Sequence, residues 1–235
     1  MPTPTFHVFP DPAAVAQAAA AKIAQLADES VKKRNRFSLA LSGGSTPKAV
    51  YEVLARDFAD KIPWDRVHIW WSDERCVPWD HPDSNAHMAT QTLLSKVPVQ
   101  AAKVHRVQTT MTRAAAASAY DQALRRFNVK NPLDLILLGI GTDGHTASLF
   151  PGSGALTEPS RWVVSTTAPP GAPIPDRVTF TFPLLATAPL LFIATGESKR
   201  PVINGVKSGA QPPSPAQIAC QRSPSDWFID AAADG

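Results

Sequence analysis

The sequence predicts an α/β fold in which helices cover both faces of an open, mostly parallel sheet. Short apolar segments alternate along the chain with longer Ala-rich or amphipathic segments, and this alternation is typical of strand–helix–strand crossovers. The segment 133–138 is an almost unbroken apolar run, which is expected of a strand buried on both faces of a parallel sheet. Together these observations favour a layered sheet with helices on its two sides.

The composition is that of a globular protein with a single domain, which we expect to span residues 1–235. Apolar residues make up 44% of the chain, charged residues make up 18%, and the net charge is only +3. That charge is too small to predict a nucleic-acid partner, whereas a small anionic ligand needs only a local basic cluster. No apolar run reaches the roughly 18 residues that a membrane span requires.

The amino-terminal segment and the cysteines predict a cytoplasmic protein. Residues 1–12 have neither the basic start nor the apolar stretch of a signal peptide. Cys76 and Cys220 lie far apart and form no C-x-x-C pair, which indicates reduced thiols rather than a disulfide framework or a zinc site. The histidines likewise show no paired spacing that suggests a metal.

Start and stop signals divide the chain into elements. Asp11 is a predicted N-cap with Pro12 at the first helical position, and the basic run 32–36 is expected at the solvated carboxyl end of that helix. The predicted helices are 13–33, 47–58, 85–94 and 112–127. The predicted strands are 37–41, 67–71, 133–138, 162–166, 177–181 and 190–194, with a last short strand at 218–221. The Pro-rich stretch 168–175 is expected to be a surface loop.

The segment SGGSTP at 42–47 joins a predicted strand to a predicted helix. Gly43 and Gly44 allow a ligand to approach the backbone, the hydroxyls of Ser45 and Thr46 are donors, and free N–H groups at a helix start attract anions. The same residues also satisfy a tight turn with a Ser/Thr N-cap. From this motif alone, an anion site and a plain turn both stay open.

The segment SDER at 72–75 follows a second predicted strand. Arg75 can bind a phosphate through its forked guanidinium, and Asp73 can orient sugar hydroxyls or a catalytic group. A D-E-R triplet in isolation is more often a surface ion-pair cluster, so this motif does not decide by itself. Cys76 beside it is expected to be a small buried hydrophobe rather than a nucleophile.

The segment GIGTDGH at 139–145 carries the best candidates for acid–base chemistry. It follows the apolar run 133–138, and ligands bind at the carboxyl edge of open α/β sheets. A loop histidine such as His145 can take a proton from water near neutral pH. Asp143 either holds the tautomer of that histidine or caps the next helix. The spacing does not match the dinucleotide pattern G-x-G-x-x-G.

Two further cations follow or begin predicted strands. Lys199, in the segment TGESKR at 195–200, can meet a phosphate as a point charge. The default for any single lysine is a solvated side chain. Arg177 begins a strand and faces either the site or the solvent, so the sequence leaves both alternatives open.

Taken together, these motifs resemble those of the 6-phosphogluconolactonases, a branch of the glucosamine-6-phosphate isomerase/6-phosphogluconolactonase family. The matching segments are LSGGSTPKAVYEVL at 41–54, WSDERCVP at 71–78, SNAHMA at 84–89, LDLILLGIGTDGHTASLFPG at 133–152, RVTFTFPLL at 177–185 and TGESK at 195–199. They occur in family order and cover most of the chain. The resemblance implies a Rossmann-like fold similar to that of glucosamine-6-phosphate deaminase, without a nucleotide.

The resemblance also implies a hydrolase that opens 6-phospho-D-glucono-1,5-lactone to 6-phosphogluconate, a step of the oxidative pentose phosphate pathway, without metal or cofactor. His145 is implied as the general base, with Asp143 and Asp73 beside it. The residues implied to bind substrate are Gly43, Gly44, Ser45, Thr46, Asp73, Arg75, Arg177 and Lys199. The expected partner is a phosphorylated sugar lactone, and no nucleic acid, membrane or obligate protein partner is implied.

Two alternative functions stay open. Amino-sugar phosphate deaminases of the related family place a glutamate where this chain has Phe150, and a phenyl ring cannot exchange protons. A sugar-phosphate sensor from a transcription regulator would carry a helix-turn-helix segment ahead of the domain. The first predicted central strand begins at Phe37, so we expect room for only one helix before it.

Overall fold

The computed structural model describes residues 2–127 and 133–235, and their strands form two sheets. The strands are β1 (Thr5–Phe9), β2 (Phe37–Leu41), β3 (Val67–Trp71), β4 (Asp73–Arg75), β5 (Leu135–Leu138), β6 (Val163–Thr167), β7 (Asp176–Phe180), β8 (Leu190–Ala194) and β9 (Ser225–Asp230). The α-helices are α1 (Pro12–Arg34), α2 (Ser45–Asp57), α3 (Asn85–Ala89), α4 (Arg113–Phe127), α5 (Phe182–Leu185), α6 (Arg200–Ser208), α7 (Pro215–Arg222) and α8 (Ala231–Asp234). Short 3₁₀ turns lie at Trp64–Arg66, Ala101–Lys103, Gly154–Thr157 and Glu197–Lys199, and a π-helical turn at Thr90–Leu94 continues α3.

The larger sheet confirms the predicted fold class. Its order is β1-β9-β8-β5-β2-β3, and every neighbouring pair of strands is parallel. Alternate residues of β5 enter two different cores: Leu135 and Leu137 pack with α1 and α2, whereas Ile136 and Leu138 pack with α4, α6 and α7. The strand is apolar throughout because both of its faces are covered by helices.

The smaller sheet is antiparallel and has the order β4-β7-β6. The sequence predicts strands at 162–166 and 177–181, close to β6 and β7, but gives no sign that they leave the parallel sheet. It also misses β4, because the charged tripeptide Asp73–Arg75 has no apolar alternation. Val163 and Phe180 of this sheet share a core cluster with Ile136 of the larger sheet, so the two sheets pack together.

The prediction of a strand at 218–221 is wrong. These residues lie in α7, whose N-cap Ser214 accepts a hydrogen bond from the Gln217 N–H at 3.2 Å and whose first helical residue is Pro215. The last strand is β9, and β1 pairs with it at the edge of the sheet. The cap and the proline are the signals of a helix start, and they carry more weight than four residues of mixed polarity.

The other predicted elements are confirmed to within a few residues. Asp11 caps α1 by accepting the Ala14 N–H at 2.8 Å, and α2 begins two residues before its predicted start at 47. The Pro-rich stretch 168–175 is a loop, as predicted. Among the described residues, none of the helices combines the length and the apolar character needed to cross a membrane.

Two histidines, His68 and His105, pack against core residues at the start of β3, away from the carboxyl edge of the sheet. The Nδ1 atom of His68 lies 3.0 Å from Nε2 of His105, and the ring of His105 stacks on Trp70 with 3.9 Å between centroids. Burial lowers the pKa of His68 to about 4, and the positive charges of Lys103 and Arg36 add to this. Burial also lowers the pKa of His105 to about 4, with a further contribution from His68.

This histidine pair predicts a loss of stability in acid. Both folded-state pKa values lie below the ordinary value of 6.5, so the unfolded chain binds more protons and the free energy of unfolding falls between pH 6.5 and about 4. Denaturant titrations across this range should show a shallower fall for the double variant His68→Gln/His105→Gln. The variant His81→Gln is the control and should keep the wild-type slope; equal slopes in all three proteins would contradict the prediction.

Candidate active site

A pocket of about 560 Å³ lies at the carboxyl edge of the larger sheet, beneath the smaller sheet. The segments that follow β2, β5 and β8 reach it, because the carboxyl ends of parallel strands meet at one edge. Eight of the ten residues predicted for the site line its wall: Gly43, Gly44, Asp73, Arg75, Asp143, His145, Arg177 and Lys199. Ser45 and Thr46 do not line it and instead form the start of α2, where Thr46 Oγ1 lies 3.0 Å from Thr195 Oγ1.

Asp143 and His145 form a hydrogen-bonded pair on the loop after β5. Asp143 Oδ1 lies 2.6 Å from His145 Nδ1 and also accepts the backbone N–H of His145 at 3.1 Å. Partial burial acts to raise the pKa of Asp143, but the hydrogen bonds and charge of His145 outweigh it, so the pKa is lowered. The carboxylate therefore stays ionised and favours the tautomer that carries its proton on Nδ1, which leaves Nε2 as the basic nitrogen.

This pair requires a glycine at position 141. A Cβ atom at Gly141 would lie 2.1 Å from His145 Nδ1 and 2.5 Å from Asp143 Oδ1. The Gly141 N–H also donates to the backbone oxygen of His145 at 2.9 Å, which closes the loop onto itself. Gly141 therefore lets the His145 ring and the Asp143 carboxylate lie close to its backbone; it does not serve to make room for a dinucleotide.

Phe150 packs against the catalytic candidate. Its ring centroid lies 4.8 Å from that of His145, and its side chain is almost fully buried in the pocket wall. Ala168, Pro169 and Pro170 from the Pro-rich loop line the same wall. The loop predicted as plain surface thus contributes an apolar part of the pocket.

Asp73 is held by two residues that the sequence does not single out as site residues. Ser148 donates its hydroxyl to Asp73 Oδ2 at 2.6 Å, and the Asn85 amide donates to the Asp73 backbone oxygen at 2.9 Å and to Oδ1 at 3.3 Å. Both line the pocket and both are buried. Both lie in segments of the family resemblance, SNAHMA and TASLF, which are the signals that could have pointed to them.

Glu74 turns away from the pocket and organises the start of α3. Its buried carboxylate accepts the N–H groups of Arg75, Asn85 and Ala86 at 2.7–2.8 Å and the Ser84 hydroxyl at 3.1 Å. Burial raises its pKa, although the backbone N–H groups oppose the shift. The three residues of the D-E-R triplet at 73–75 thus have different tasks, and the triplet is not a surface ion-pair cluster.

Arg75 and Arg177 face each other across the smaller sheet. They are directly opposed residues of the antiparallel β4–β7 pair, and both line the pocket. Like charges at opposed positions repel. Burial lowers the pKa of Arg177, and the charge of Arg75 adds to this. Among the described residues, the buried Nη1 atom of Arg177 has no hydrogen-bond partner, and an anionic ligand would supply one.

A second attraction for anions lies across the pocket, at α2 and Lys199. Gly44 is the N-cap of α2, and no side chain of the described residues caps the helix there, so its first N–H groups remain available to an anion. Burial lowers the pKa of Lys199, whereas the charge of Asp143 acts to raise it. Within residues 2–127 and 133–235, no group of three or more His, Cys, Asp or Glu residues is arranged to hold a metal ion.

Comparison with known proteins assigns the chain to a family. The model of the glucosamine-6-phosphate isomerases/6-phosphogluconolactonase family matches residues 10–228. The chain belongs to this family. A relative from Nostoc sp. named 6-phosphogluconolactonase is 39% identical, with 97% of this chain and 96% of the relative covered. Another of that name from Synechocystis sp. is 36% identical, with 87% of this chain and 86% of the relative covered.

Solved structures of the family give the same fold. The 6-phosphogluconolactonase from Trypanosoma cruzi matches with a TM-score of 0.87 at 28% identity, covering 98% of this chain and 96% of its own. The one from Thermotoga maritima matches with a TM-score of 0.85 at 30% identity, covering 97% of this chain and 100% of its own. A monomeric glucosamine-6-phosphate deaminase has a TM-score of 0.84 at 19% identity, with coverages of 97% and 98%, and shows the fold alone. The predicted resemblance is confirmed.

The packing of Asn85 against Gly43 predicts a specific steric coupling. A Cβ atom at Gly43 would lie 2.1 Å from Asn85 Oδ1, so Gly43→Ala should destabilise the fold by about 1–3 kcal/mol. The same substitution in an Asn85→Ala background should cost much less, because the clashing amide is gone. Denaturant unfolding of the single and double variants measures this coupling.

The matched control for this cycle is Gly139→Ala. Gly139 also lines the pocket, but nothing lies within 4 Å of a Cβ built there, so this variant should unfold almost like the wild type in both backgrounds. If Gly43→Ala costs the same with and without Asn85, the contact between the two loops does not fix the geometry of the site.

Proposed function

We propose that this protein hydrolyses 6-phospho-D-glucono-1,5-lactone to 6-phosphogluconate in the oxidative pentose phosphate pathway. The observation that carries the proposal is the Asp143–His145 pair, which shares one pocket with Arg75, Arg177 and Lys199. That pocket joins a base for the lactone carbonyl to cations for the phosphate. The 36–39% identity to relatives named 6-phosphogluconolactonase supports the same substrate.

In the proposed mechanism, His145 acts as the base and then as the acid. Nε2 removes a proton from water as the water oxygen attacks the lactone carbonyl, and Asp143 stabilises the imidazolium that forms. The tetrahedral intermediate then expels the ring oxygen, which takes the proton back from Nε2. The products are the open-chain acid and a free hydroxyl, and no covalent intermediate, metal or cofactor takes part.

The modest demand of the reaction supports this economy. A lactone is an activated ester whose ring also opens unaided, so the required acceleration is small compared with that of peptide or phosphate-ester hydrolysis. Backbone N–H groups of the glycine-rich loops stabilise the oxyanion in this scheme. Asp73, whose carboxylate is oriented by Ser148 and Asn85, accepts hydrogen bonds from sugar hydroxyls.

The proposed phosphate contacts come from the cations of the pocket. Arg177 offers its unpartnered Nη1, and Arg75, one of whose nitrogens donates to the Asp83 backbone oxygen at 2.6 Å, has its remaining donors available. Lys199 completes the set of cations, and the N–H groups of Ser45 and Thr46, which follow the pocket-lining Gly44 at the start of α2, are the proposed backbone donors beside it. A bound dianion would relieve the repulsion between the opposed arginines.

The deaminase alternative lacks a residue that its chemistry requires. Amino-sugar isomerisation moves protons between substrate atoms, so an acid–base group must lie near the sugar ring. Phe150 occupies the place next to His145 and contributes only packing and exclusion of water. Release of ammonia from glucosamine 6-phosphate at a rate comparable to lactone turnover would favour the deaminase over the lactonase.

The sensor alternative and the location are tested separately. A sugar-phosphate sensor would bind 6-phosphogluconate without turning over the lactone.

A cytoplasmic location stays a prediction from the free thiols Cys76 and Cys220, and relatives from Oryza sativa and Arabidopsis thaliana carry names that place them in the chloroplast. The proposed partner remains the phosphorylated lactone, and no obligate protein partner is proposed.

The direct test generates the lactone with a glucose 6-phosphate dehydrogenase and follows its disappearance with and without the protein. His145→Ala should lower kcat by ~10²–10⁴-fold, the usual cost of losing a general base, while its circular dichroism and melting temperature stay near those of the wild type. The uncatalysed rate is subtracted throughout. A folded variant that retains nearly full activity would remove His145 from the mechanism.

Selectivity for the phosphate should depend on the cations. Arg75→Ala, Arg177→Ala and Lys199→Ala should each raise KM for the phosphorylated lactone by ~10–100-fold, because each removes a hydrogen bond to a charged group. KM for plain gluconolactone should change far less. Initial rates on both lactones measure the ratio, and equal effects on the two substrates would show that these residues do not bind the phosphate.

A further inference from the structure

A buried carboxylate at the end of β9 holds the loop that carries Lys199. Asp230 is 2% exposed. The N–H of Gly196 donates to both of its oxygens, to Oδ1 at 2.9 Å and to Oδ2 at 3.1 Å. Oδ1 also accepts the Ala233 N–H at 2.9 Å and so caps α8. One carboxylate thus ties the loop after β8 to the carboxyl-terminal end of the chain.

The backbone of Gly196 connects Asp230 to Lys199. The carbonyl oxygen of Gly196 accepts the Lys199 N–H at 3.0 Å, so Gly196 is bonded to Asp230 through its N–H and to Lys199 through its carbonyl oxygen. On its other side the loop is fixed by the 3.0 Å contact between Thr195 Oγ1 and Thr46 Oγ1. Gly196 itself adopts a φ of 92°, a conformation that suits glycine and sets the turn.

The ammonium group of Lys199 has no comparable anchor. In the described parts of the chain, Lys199 Nζ makes no hydrogen bond or ion pair with another side chain, although the half-buried residue lines the pocket and senses the charge of Asp143. The lysine stem is flexible, so the position of the backbone sets the region that an ammonium without a partner of its own can reach. The direction of the ammonium therefore depends on the loop, and the loop depends on Asp230.

We propose that Asp230 is a positioning residue that holds Lys199 for the phosphate of the substrate through the Gly196 backbone. The proposal rests on the proposed function, in which Lys199 binds that phosphate. Asp230 lies outside residues 10–228, the part of the chain that the family model matches. The last residues of the chain thus belong to the scaffold of the site.

The test compares three variants at the end of the chain. Asp230→Ala removes both oxygens that accept the Gly196 N–H. It should raise KM for the phosphorylated lactone about tenfold, because the displaced Lys199 loses its charge-assisted hydrogen bond to the phosphate. The kcat should stay within about twofold of the wild type. Asp230→Asn keeps an oxygen for capping and for Gly196 and should restore most of the affinity. Asp234→Ala, in the same terminal helix, loses only the ion pair with Lys207 and should keep the wild-type KM.

A double-mutant cycle separates positioning from a general structural effect. In a Lys199→Ala background, Asp230→Ala should change KM by less than about twofold, because the group that it positions is absent. If instead Asp230→Ala raises KM equally in both backgrounds, or raises it equally for plain gluconolactone, or lowers kcat as much as it raises KM, the proposal is wrong. Melting temperatures of all variants report any loss of fold.

Calorimetric binding of 6-phosphogluconate distinguishes this proposal from the proposed activity. Wild-type protein that binds 6-phosphogluconate but turns over no lactone would refute the activity, and the Asp230→Ala and Lys199→Ala cycle would then be read from Kd. Loss of affinity in that cycle, absent when Lys199 is already removed, would still support the positioning role. Wild-type protein that neither binds 6-phosphogluconate nor turns over lactone would overturn both.

Discussion

The absence of a side chain at residue 141 is the constraint on which the site depends. His145 Nδ1 lies where a Cβ atom of Gly141 would have to be, and Asp143 Oδ1 lies almost as close. The Asp143 carboxylate can therefore bond to the imidazole and also accept the backbone N–H of His145, while the Gly141 N–H holds the backbone oxygen of the same residue. A histidine fixed in this way keeps one nitrogen for the carboxylate and one for chemistry.

The rest of the pocket is assembled around that pair by two sheets with different roles. The loops that follow strands of the parallel sheet meet at one edge, as in other open α/β sheets, and supply the Asp143–His145 pair and Lys199. The antiparallel sheet supplies Asp73, Arg75 and Arg177 from β4 and β7. The two opposed arginines repel each other, and a phosphate bound between them would attract both.

Much of this arrangement follows from short-range patterns in the sequence. The apolar strands β2, β3 and β8 have the predicted bounds, because runs buried on both faces leave a strong signal. The motif residues at strand ends were brought together because parallel strands end at one edge. The residues that the sequence did not reveal depend on contacts between distant segments. Ser148 bonds to Asp73, and Asp230 bonds to Gly196, and no local pattern marks either contact.

The errors have equally local causes. The strand β4 is three charged or polar residues, which carry no alternation and are strand only because β7 pairs with them. The predicted strand at 218–221 disregards Ser214 and Pro215, which mark the start of the helix α7. Ser45 and Thr46 form the start of α2 and do not line the pocket. For β4 the partner strand β7 decides the structure, whereas for α7 the deciding cap and proline lie in the local sequence.

The proposed chemistry requires that Asp143 hold His145 in one tautomer, with Nε2 free to accept a proton. Nitrogen-15 NMR of the histidine ring, recorded on selectively labelled protein at pH 8, measures this directly. We predict a proton on Nδ1 and a pyridine-like chemical shift for Nε2 of His145. In Asp143→Ala, the nitrogen shifts should average between the two tautomers. A proton found on Nε2 of His145 in the wild-type protein, or averaged tautomers there, would contradict the claim that this pair is built to activate water.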